Sequence, residues 1–585
     1  MVTNKYITRI ASVIMAAAVI LCLMASLFSD KLQEVYGNNA VTMKYESKLF
    51  STDQIMDIDI LMDEDDWNDM LENAISEEYY SCDVVVNGKT FYSVGIRPKG
   101  NTSLSSIAND PDTDRYSFKL EFDHYIEGQT CYGLDKLILN NNYADATNMK
   151  EAIVYDMYQY LGVDASLYNY AKISVNGDYR GVYLALEAVE DSFMLRNYGT
   201  EDGNLYKPES MGIGGGVDGN GFPQKGEMPD GEDFPQKGEM PDGADFPQKG
   251  EMPDGEDFPQ KGEMPDGEDF PQMGEAPNGE AADIKMGIMG GKGGADLNYT
   301  DDDLDSYSTI WDDEITDTDK KDHKRVVEAL KNISEGTDLE TYMDIDNILK
   351  YMAVHTFVVN DDSLSGTMAH NYYLYEYNGR LNILPWDYNL SFGGMSMDGK
   401  MGGQSLGATS VINDAIDTPF SITDFFDALL ENEEYLEQYH GYLNELVEKY
   451  VNGGEFEKTY ERIRSQIDDL VGNDPTAFYS YEEYEEAANM LIEVVQLRAK
   501  SVSGQLAGTI PSTDEGQQQD SSNLIDGSDI DLSVMGSFSG GGGGNEGQGK
   551  DNGFAGTPQP FDAGDVSPIS EEKADLQDSN QDSVK

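Results

Sequence analysis

Six polar side chains that can bind a cation or move a proton lie within one segment, residues 358–394. They are Asp361, Asp362, His370, Asn371, Asp387 and Asn389. One acidic cluster precedes a hairpin-like stretch and the other follows it, so a hairpin would bring the two clusters face to face. Carboxylates beside Asn or His suit Mg²⁺, which prefers oxygen ligands and shares them with phosphate. The alternative, that these residues only form turns and caps, stays open.

Four further residues are candidates for contact with a phosphorylated ligand. They are Arg97, Lys119, Glu151 and Lys207. Arg97 and Lys99 lie in the turn RPKGNTS, whose side chains and backbone amides can contact phosphate. Lys119 is a lone cation in a predicted strand and Glu151 opens a predicted helix, so they can pair as such residues do in kinase-like sites. An ordinary turn and a surface ion pair are the alternatives for these features, and Lys207 is either structural or near the nucleotide.

Two folded parts are predicted to position these residues. Residues 45–210 are predicted to be rich in strands, with a helix at 149–163 and a hairpin that turns at Asn176-Gly177. Residues 291–506 are predicted to be mainly helical around a hairpin at 371–394. The chain is therefore predicted to be an α+β protein.

Two other stretches are predicted to be disordered. In residues 211–290 the unit FPQKGEMPDGED recurs every 12 residues, from Phe222 to the last copy at Phe270. Each unit offers one Phe and one Met beside two Pro and two Gly, which cannot bury a core. The repeat is interpreted as a solvated spacer, with a binding role for its Phe and Met as the alternative. The tail 507–585 is predicted to be disordered from its Gly, Ser, Asp and Gln content.

The N-terminal region, residues 1–35, contains a predicted membrane segment. Residues 10–28 are almost wholly apolar and long enough to span a bilayer as a helix. Lys5 and Arg9 precede this segment and Asp30 follows it, so the positive-inside rule places the bulk of the chain outside the cytoplasm. A cleaved signal peptide, and hence a secreted protein, is the rival interpretation.

The charge balance and the cysteine content exclude several protein classes. The chain has 39 Lys+Arg against 110 Asp+Glu, a net charge of −71, which disfavours nucleic-acid binding and leaves a basic protein partner open. It lacks a P-loop motif, and 5 His argue against a zinc hydrolase. Because Cys22 lies in the apolar segment, only Cys82 and Cys131 remain for an optional disulfide.

Several longer motifs occur in a fixed order along both folded parts. RPKGNTS, SFKLEFD, VNGDYRGVYLALEAVEDSF and GNLYKP lie in the first part, and VVNDDSLSG and HNYYLYEYNGRLNILPWDYNLSFGG in the second. These motifs resemble the CotH kinase family, the spore-coat CotH-like proteins, over roughly residues 45–505. The resemblance implies a two-lobed, atypical protein-kinase-like fold that transfers phosphate from ATP to Ser/Thr of protein substrates.

The resemblance also implies roles for individual residues. Asp362 in NDDS is the carboxylate that orients or deprotonates the acceptor hydroxyl, and Asp387 in PWDYN takes the place of the metal-binding Asp. Asn371 or Asn389 completes the Mg²⁺ shell in this interpretation. The nucleotide contacts are then Lys119 with its helix partner Glu151, together with Arg97 and Lys207.

Two functions are consistent with these patterns. The first is a membrane-anchored, Mg²⁺-dependent Ser/Thr protein kinase that acts on a basic, Ser/Thr-rich protein at the cell surface or in a spore coat. The second is a non-catalytic, adhesin-like surface protein with the same fold. The predicted topology places the folded parts where ATP is scarce, so the sequence leaves the source of ATP open.

Overall fold

The computed structural model describes residues 40–208, 293–366, 369–395, 407–420 and 422–536. The predicted membrane segment at 10–28 and the predicted repeat insert at 211–290 lie outside the described residues. Within the described part of the chain, no helix is both long enough and apolar enough to cross a membrane. These residues form a mixed α+β structure with a strand-rich N-terminal part and a helical C-terminal part, as the sequence predicts.

Most strands form a closed barrel in the N-terminal part. The strands are β1 (Met56–Leu61), β2 (Tyr80–Val86), β3 (Lys89–Lys99), β4 (Ser117–Glu121), β5 (Lys136–Asn140), β6 (Tyr168–Val175), β7 (Asp178–Glu187), β8 (Asn204–Tyr206), β9 (Tyr372–Tyr377) and β10 (Arg380–Pro385). The barrel order is β1-β2-β3-β4-β5-β7-β6, and the pair that closes it, β1 with β6, is parallel. Buried positions alternate with more exposed ones along β1, because successive side chains of a strand point to opposite faces.

Two hairpins of the barrel turn on Asn-Gly pairs. Asn87 and Gly88 have φ of 50° and 78°, and Asn176 and Gly177 have φ of 53° and 88°. Two-residue hairpin loops of this kind need positive φ at both positions, which Asn and Gly tolerate best. The turn predicted at Asn176-Gly177 is therefore confirmed, and it joins β6 to β7.

The helical part carries a second, three-stranded sheet of order β10-β9-β8. Because β8 belongs to the N-terminal part of the chain, this sheet joins the two parts. The helices are α1 (Lys44–Lys48), α2 (Glu64–Glu72), α3 (Thr102–Ala108), α4 (Lys150–Leu161), α5 (Asp191–Tyr198), α6 (Ser308–Trp311), α7 (Lys320–Ser334), α8 (Leu339–Tyr342), α9 (Ile345–Val358), α10 (Ala408–Ile412), α11 (Asp427–Leu430), α12 (Glu433–Glu445), α13 (Glu455–Val471), α14 (Tyr481–Leu506) and α15 (Asp514–Gln519). Short 3₁₀ segments lie at Ala74–Ser76, Leu304–Tyr307 and Leu532–Met535, and a π-helical segment, Leu446–Val451, continues α12.

One apolar cluster fills the barrel. Ile58, Val84 and Leu120 point inward from three different strands and are fully buried. Cys82 and Cys131 belong to the same cluster, and both are free thiols. Burial raises the pKa of each thiol to about 12, so both thiols are protonated. The optional disulfide between them is not formed in this structure.

A second apolar cluster surrounds α4 and α9, which pack against each other. Ile153 and Tyr158 of α4 and Val354 of α9 are fully buried within it. Both helices are buried on most of their faces, because apolar side chains surround nearly the whole of each axis. The polar residues at the N-terminus of α4 and after the C-terminus of α9 are therefore held in fixed positions.

A C-terminal strap, residues 508–536, extends the fold beyond its predicted end. The sequence predicts disorder from position 507, which is wrong for the strap. Met535 is 1% exposed, and its carbonyl accepts a hydrogen bond of 3.1 Å from the Ala146 N–H. Asn413 and Ile525 exchange two hydrogen bonds of 2.8 and 2.9 Å. A polar composition concealed these few anchors, and residues 537–585 lie outside the described residues.

Candidate active site

Asp362 lies in the turn that follows α9, and two neighbours hold its carboxylate. His370 Nε2 lies 2.6 Å from Oδ1, and the Asn371 amide donates to Oδ2 at 2.9 Å. The same amide donates to the Asp362 carbonyl at 2.8 Å. The helix ends where Val359 adopts a φ of 50°, which turns the chain toward this site. The Asp362 side chain is 13% exposed, so its carboxylate is fixed in orientation but still reachable.

Asp387 comes two residues after the end of β10 and is half-buried. Burial raises the pKa of Asp387, and the negative charge of Asp362 adds to the rise. The positive charges of Lys99, Lys207 and His370 act in the opposite direction. The Asn360 amide nitrogen lies 3.5 Å from the Asp387 carbonyl, and Asn360 is two residues before Asp362. The loops that carry the two carboxylates therefore lie next to each other, as the predicted hairpin requires, and three basic side chains act on Asp387.

A lysine–asparagine–glutamate chain lies beside Asp387. Lys99 Nζ, at the end of β3, donates to Asn140 Oδ1 at 3.2 Å, and Asn140 Nδ2 donates to Glu151 Oε2 at 2.9 Å. Glu151 lies in the first turn of α4 and is 3% exposed. Burial raises the pKa of Glu151 to about 8, and the charge of Asp387 adds to this effect. Burial lowers the pKa of Lys99, whose ammonium also lies 5.6 Å from the Trp386 ring centre.

The predicted ion pair between Lys119 and Glu151 is wrong in this structure. Lys119 Nζ lies 2.5 Å from Glu190 Oε1 instead. In the register of the barrel, Lys119 pairs with Arg97, whereas Lys99 lies two residues further along β3. Two residues span about 6.6 Å of strand, which decides which cation reaches the end of α4. Lys99 thus holds the position that the sequence analysis gave to Lys119.

Lys207 joins the site from the second sheet. It follows β8, and its backbone N–H donates to the Asp313 carbonyl at 3.2 Å. Its positive charge lowers the pKa of both Lys99 and Asp387. Of the predicted nucleotide contacts, Lys207 and Glu151 therefore lie together in the site.

Arg97 and Asn389 have partners of their own. Arg97 forms an ion pair with Glu77, and its guanidinium lies 5.4 Å from the Tyr79 ring centre. The Asn389 amide donates to the Tyr143 carbonyl at 3.0 Å. These contacts hold both side chains at the border of the site, so their predicted ligand contacts stay predictions.

The sequence analysis did not single out two asparagines of the site. Asn140 ends β5 and is 9% exposed, and Asn360 follows α9 and is fully buried. Asn140 begins the run Asn140-Asn141-Asn142, and Asn360 directly precedes Asp361-Asp362. An Asn at the end of an apolar strand or helix is a usable signal, because a buried amide must find hydrogen-bond partners.

The oxygen atoms near Asp387 suit a hard cation such as Mg²⁺. Glu151 Oε1 and Asn360 Oδ1 are buried without a hydrogen-bond partner, and the Asn360 amide nitrogen lies 3.5 Å from the Asp387 carbonyl. Leaving such an oxygen unpaired costs about 1–3 kcal/mol, which a cation or donor would offset. Among the described residues, no group of three or more His, Cys, Asp or Glu could hold a metal. The donors fit Mg²⁺ shared with phosphates, which needs one or two carboxylates.

The residues of the site all lie within the range that a protein family model matches. The family model described as CotH kinase protein matches residues 96–502, a range that includes Lys99, Glu151, Asp362 and Asp387. No curated protein matches the chain. The family match extends over more than half of the 585 residues and agrees with the motifs that resemble this family. The chain is therefore a member of the CotH kinase family.

Proposed function

We propose that this protein is a Mg²⁺-dependent protein kinase that transfers the γ-phosphate of ATP to Ser or Thr hydroxyls of a protein. The observation that carries this proposal is the convergence of Asp362, Asp387 and Lys99 on one half-buried site, with Glu151 behind Lys99. Membership in the CotH kinase family supports it. Phosphoryl transfer depends on positioning and charge neutralisation more than on covalent groups, and this site offers both.

Lys99 and Lys207 supply positive charge for the phosphates of the nucleotide. Asn140 links Lys99 to Glu151, so the lysine is held by a helix glutamate through one bridging amide. Asp387 would hold Mg²⁺ together with phosphate oxygens. The ion, when bound, neutralises charge that develops on the transferred group.

Asp362 is the proposed base for the acceptor hydroxyl. Each carboxylate oxygen of Asp362 already accepts one hydrogen bond, and each keeps further lone-pair capacity for the acceptor O–H. The proton passes to Asp362 as the acceptor oxygen bonds to the γ-phosphorus. The bond from that phosphorus to the β–γ bridging oxygen breaks, and its electron pair leaves on ADP. His370 and Asn371 keep the carboxylate aimed during this step.

The proposed substrate is a basic, Ser/Thr-rich protein. A net charge of −71 attracts basic partners and raises their rate of encounter, although phosphate must then be held by a few localised cations. Membership in the CotH family supports a spore coat or cell surface as the setting. The membrane anchor at residues 10–28 stays a prediction.

The test is transfer of label from γ-labelled ATP to a basic, Ser-rich peptide in the presence of Mg²⁺. Asp362→Asn is expected to lower kcat by 10²–10⁴-fold while nucleotide still raises the melting temperature. Asp387→Asn is expected to abolish both transfer and the Mg²⁺-dependent part of that melting shift. Lys119→Ala is the matched control, because it removes a cation that is already paired with Glu190.

Two results would contradict the proposal. Undiminished phosphate transfer by both Asp variants would show that the two carboxylates do not have the roles assigned to them. A wild-type protein that neither transfers phosphate nor responds to Mg²⁺ and ATP in its melting temperature would favour a non-catalytic surface protein on the same fold.

A further inference from the structure

A continuous chain of buried and partly buried hydrogen bonds links the two loops that carry Asp362 and Asp387. Tyr158 Oη lies 2.5 Å from Tyr388 Oη, which in turn lies 2.9 Å from His355 Nδ1. His355 Nε2 lies 2.9 Å from Ser365 Oγ, and Ser365 donates to the Asn360 carbonyl at 2.8 Å. We call these five residues the His355 chain. Tyr388, the second residue of this chain, directly follows Asp387 in the sequence, and Asn360, at its far end, lies two residues before Asp362.

The direction of each bond in the His355 chain follows from the donors that are available. A carbonyl can only accept, so the single Ser365 hydroxyl proton is used on Asn360. His355 Nε2 must then carry the proton that it donates to Ser365. In the neutral ring, Nδ1 is left as an acceptor for the Tyr388 hydroxyl, whose oxygen accepts from Tyr158. The geometry therefore specifies one neutral tautomer of His355.

The surroundings of His355 agree with a neutral ring. The side chain is 1% exposed, and its ring stacks on Phe420 and Tyr351 with centroid distances of 5.3 and 5.4 Å. Burial lowers the pKa of His355 to about 3. The described residues therefore hold this ring by stacking on its faces and by hydrogen bonds at both nitrogens.

The two loops are joined by a further bond next to the chain. The Asn360 amide donates to the Asp387 carbonyl at 3.5 Å. Tyr388 directly follows Asp387 in the sequence. A shift at His355 would thus reach Asp387 through Tyr388, and Asp362 through Asn360.

We propose that His355 is a positioning residue that sets the spacing between the base Asp362 and the metal-binding Asp387. This role rests on the proposed kinase function of that site. A displacement of about 1 Å between groups that act together can lower a rate by 10²-fold. The His355 chain acts through the two carboxylate loops and not on the substrate, so its loss should alter kcat more than the affinity for ATP.

The experiment compares variants of the full chain in the phosphotransfer assay. His355→Phe keeps the stacked ring and removes both hydrogen bonds, and it is expected to lower kcat 10- to 100-fold while KM for ATP changes less than threefold. Ser365→Ala breaks one link and is expected to lower kcat by a smaller factor. His440→Phe is the matched control, because it alters a half-buried histidine that binds Asp417, and it should leave kcat unchanged.

Two readouts separate positioning from simple structural support. Ser365→Ala should have no further effect in the His355→Phe background, because members of one chain are not additive. Selective ¹⁵N labelling of the 5 His should show His355 with its proton on Nε2, and this signal should be lost in His355→Phe. Melting temperatures identify any variant that fails to fold, and Ser365→Ala then carries the kinetic test.

The outcomes distinguish the two proposals. An inactive wild-type protein refutes the proposed function and, with it, the role of His355. An active wild type with unchanged kcat in His355→Phe and Ser365→Ala refutes only the role of His355, as does a proton found on Nδ1. Additive losses in the double variant would show that the two residues act separately, which also overturns the chain.

Discussion

Replacing Glu151 with Gln is expected to make the unliganded protein less sensitive to a rise in pH. Glu151 is 3% exposed, and burial raises its pKa from 4.5 to about 8. The folded protein therefore binds this proton more tightly than the unfolded chain does. The resulting stabilisation is complete below about pH 4.5 and is lost as the pH rises through about 8. Each pH unit within that interval changes the free energy of unfolding by roughly 1.4 kcal/mol.

Between pH 5.5 and 7.5 the loss of the Glu151 proton is expected to cost the wild type about 2.5 kcal/mol of stability, which Glu151→Gln keeps. Urea unfolding of both proteins at both pH values, without Mg²⁺ or nucleotide, measures this difference. Titrating groups that do not interact with Glu151 cancel in the comparison. Glu72→Gln, at an exposed position of α2, is the control and should follow the wild type. Equal pH dependence in the wild type and Glu151→Gln would refute a buried, protonated Glu151.

Three other changes test the site and its supports. Lys99→Ala is expected to weaken ATP binding roughly tenfold in calorimetry, whereas Lys119→Ala should change it less than threefold. A larger loss of ATP affinity in Lys119→Ala than in Lys99→Ala would contradict the pairing described above. Ending the chain after Gly536 should leave the melting temperature unchanged, whereas ending it after residue 507 removes buried Met535 and should lower it by roughly 4 °C or more. Deleting residues 222–269 shortens the insert about 2.5-fold, so the free energy of unfolding should rise by about 0.8 kcal/mol at most. A loss of phosphate transfer in this variant would show that the repeats act as more than a spacer.

Local chemistry made part of this structure predictable. The turn at Asn176-Gly177 needs only two residues that accept positive φ, and Gly162, with a φ of 72°, ends the helix predicted at 149–163. The juxtaposition of Asp362 and Asp387 follows from a hairpin between them. Each of these features depends on residues that are close in sequence, which is where a single sequence is informative.

Features that depend on pairing between distant parts of the chain could not be predicted from the sequence. Whether Lys99 or Lys119 meets Glu151 depends on how β3 and β4 pair and on where the barrel closes, and no local pattern encodes that register. The strap escaped prediction for a similar reason, because it is held by a few contacts such as the Met535 carbonyl with Ala146. Composition over a window cannot detect a single anchor of this kind.

The pKa shifts at the site distinguish it from a structural ion-pair network. Burial raises the pKa of Glu151 and Asp387 and lowers the pKa of Lys99, so acids and base are all displaced toward their neutral forms. A structural ion-pair network would show the opposite, because each partner would favour the charged form of the other. Mg²⁺ would restore the charged carboxylates and phosphate the charged lysine. A ligand that carries both charges, as Mg²⁺ with a nucleotide would, is therefore expected to stabilise the folded protein.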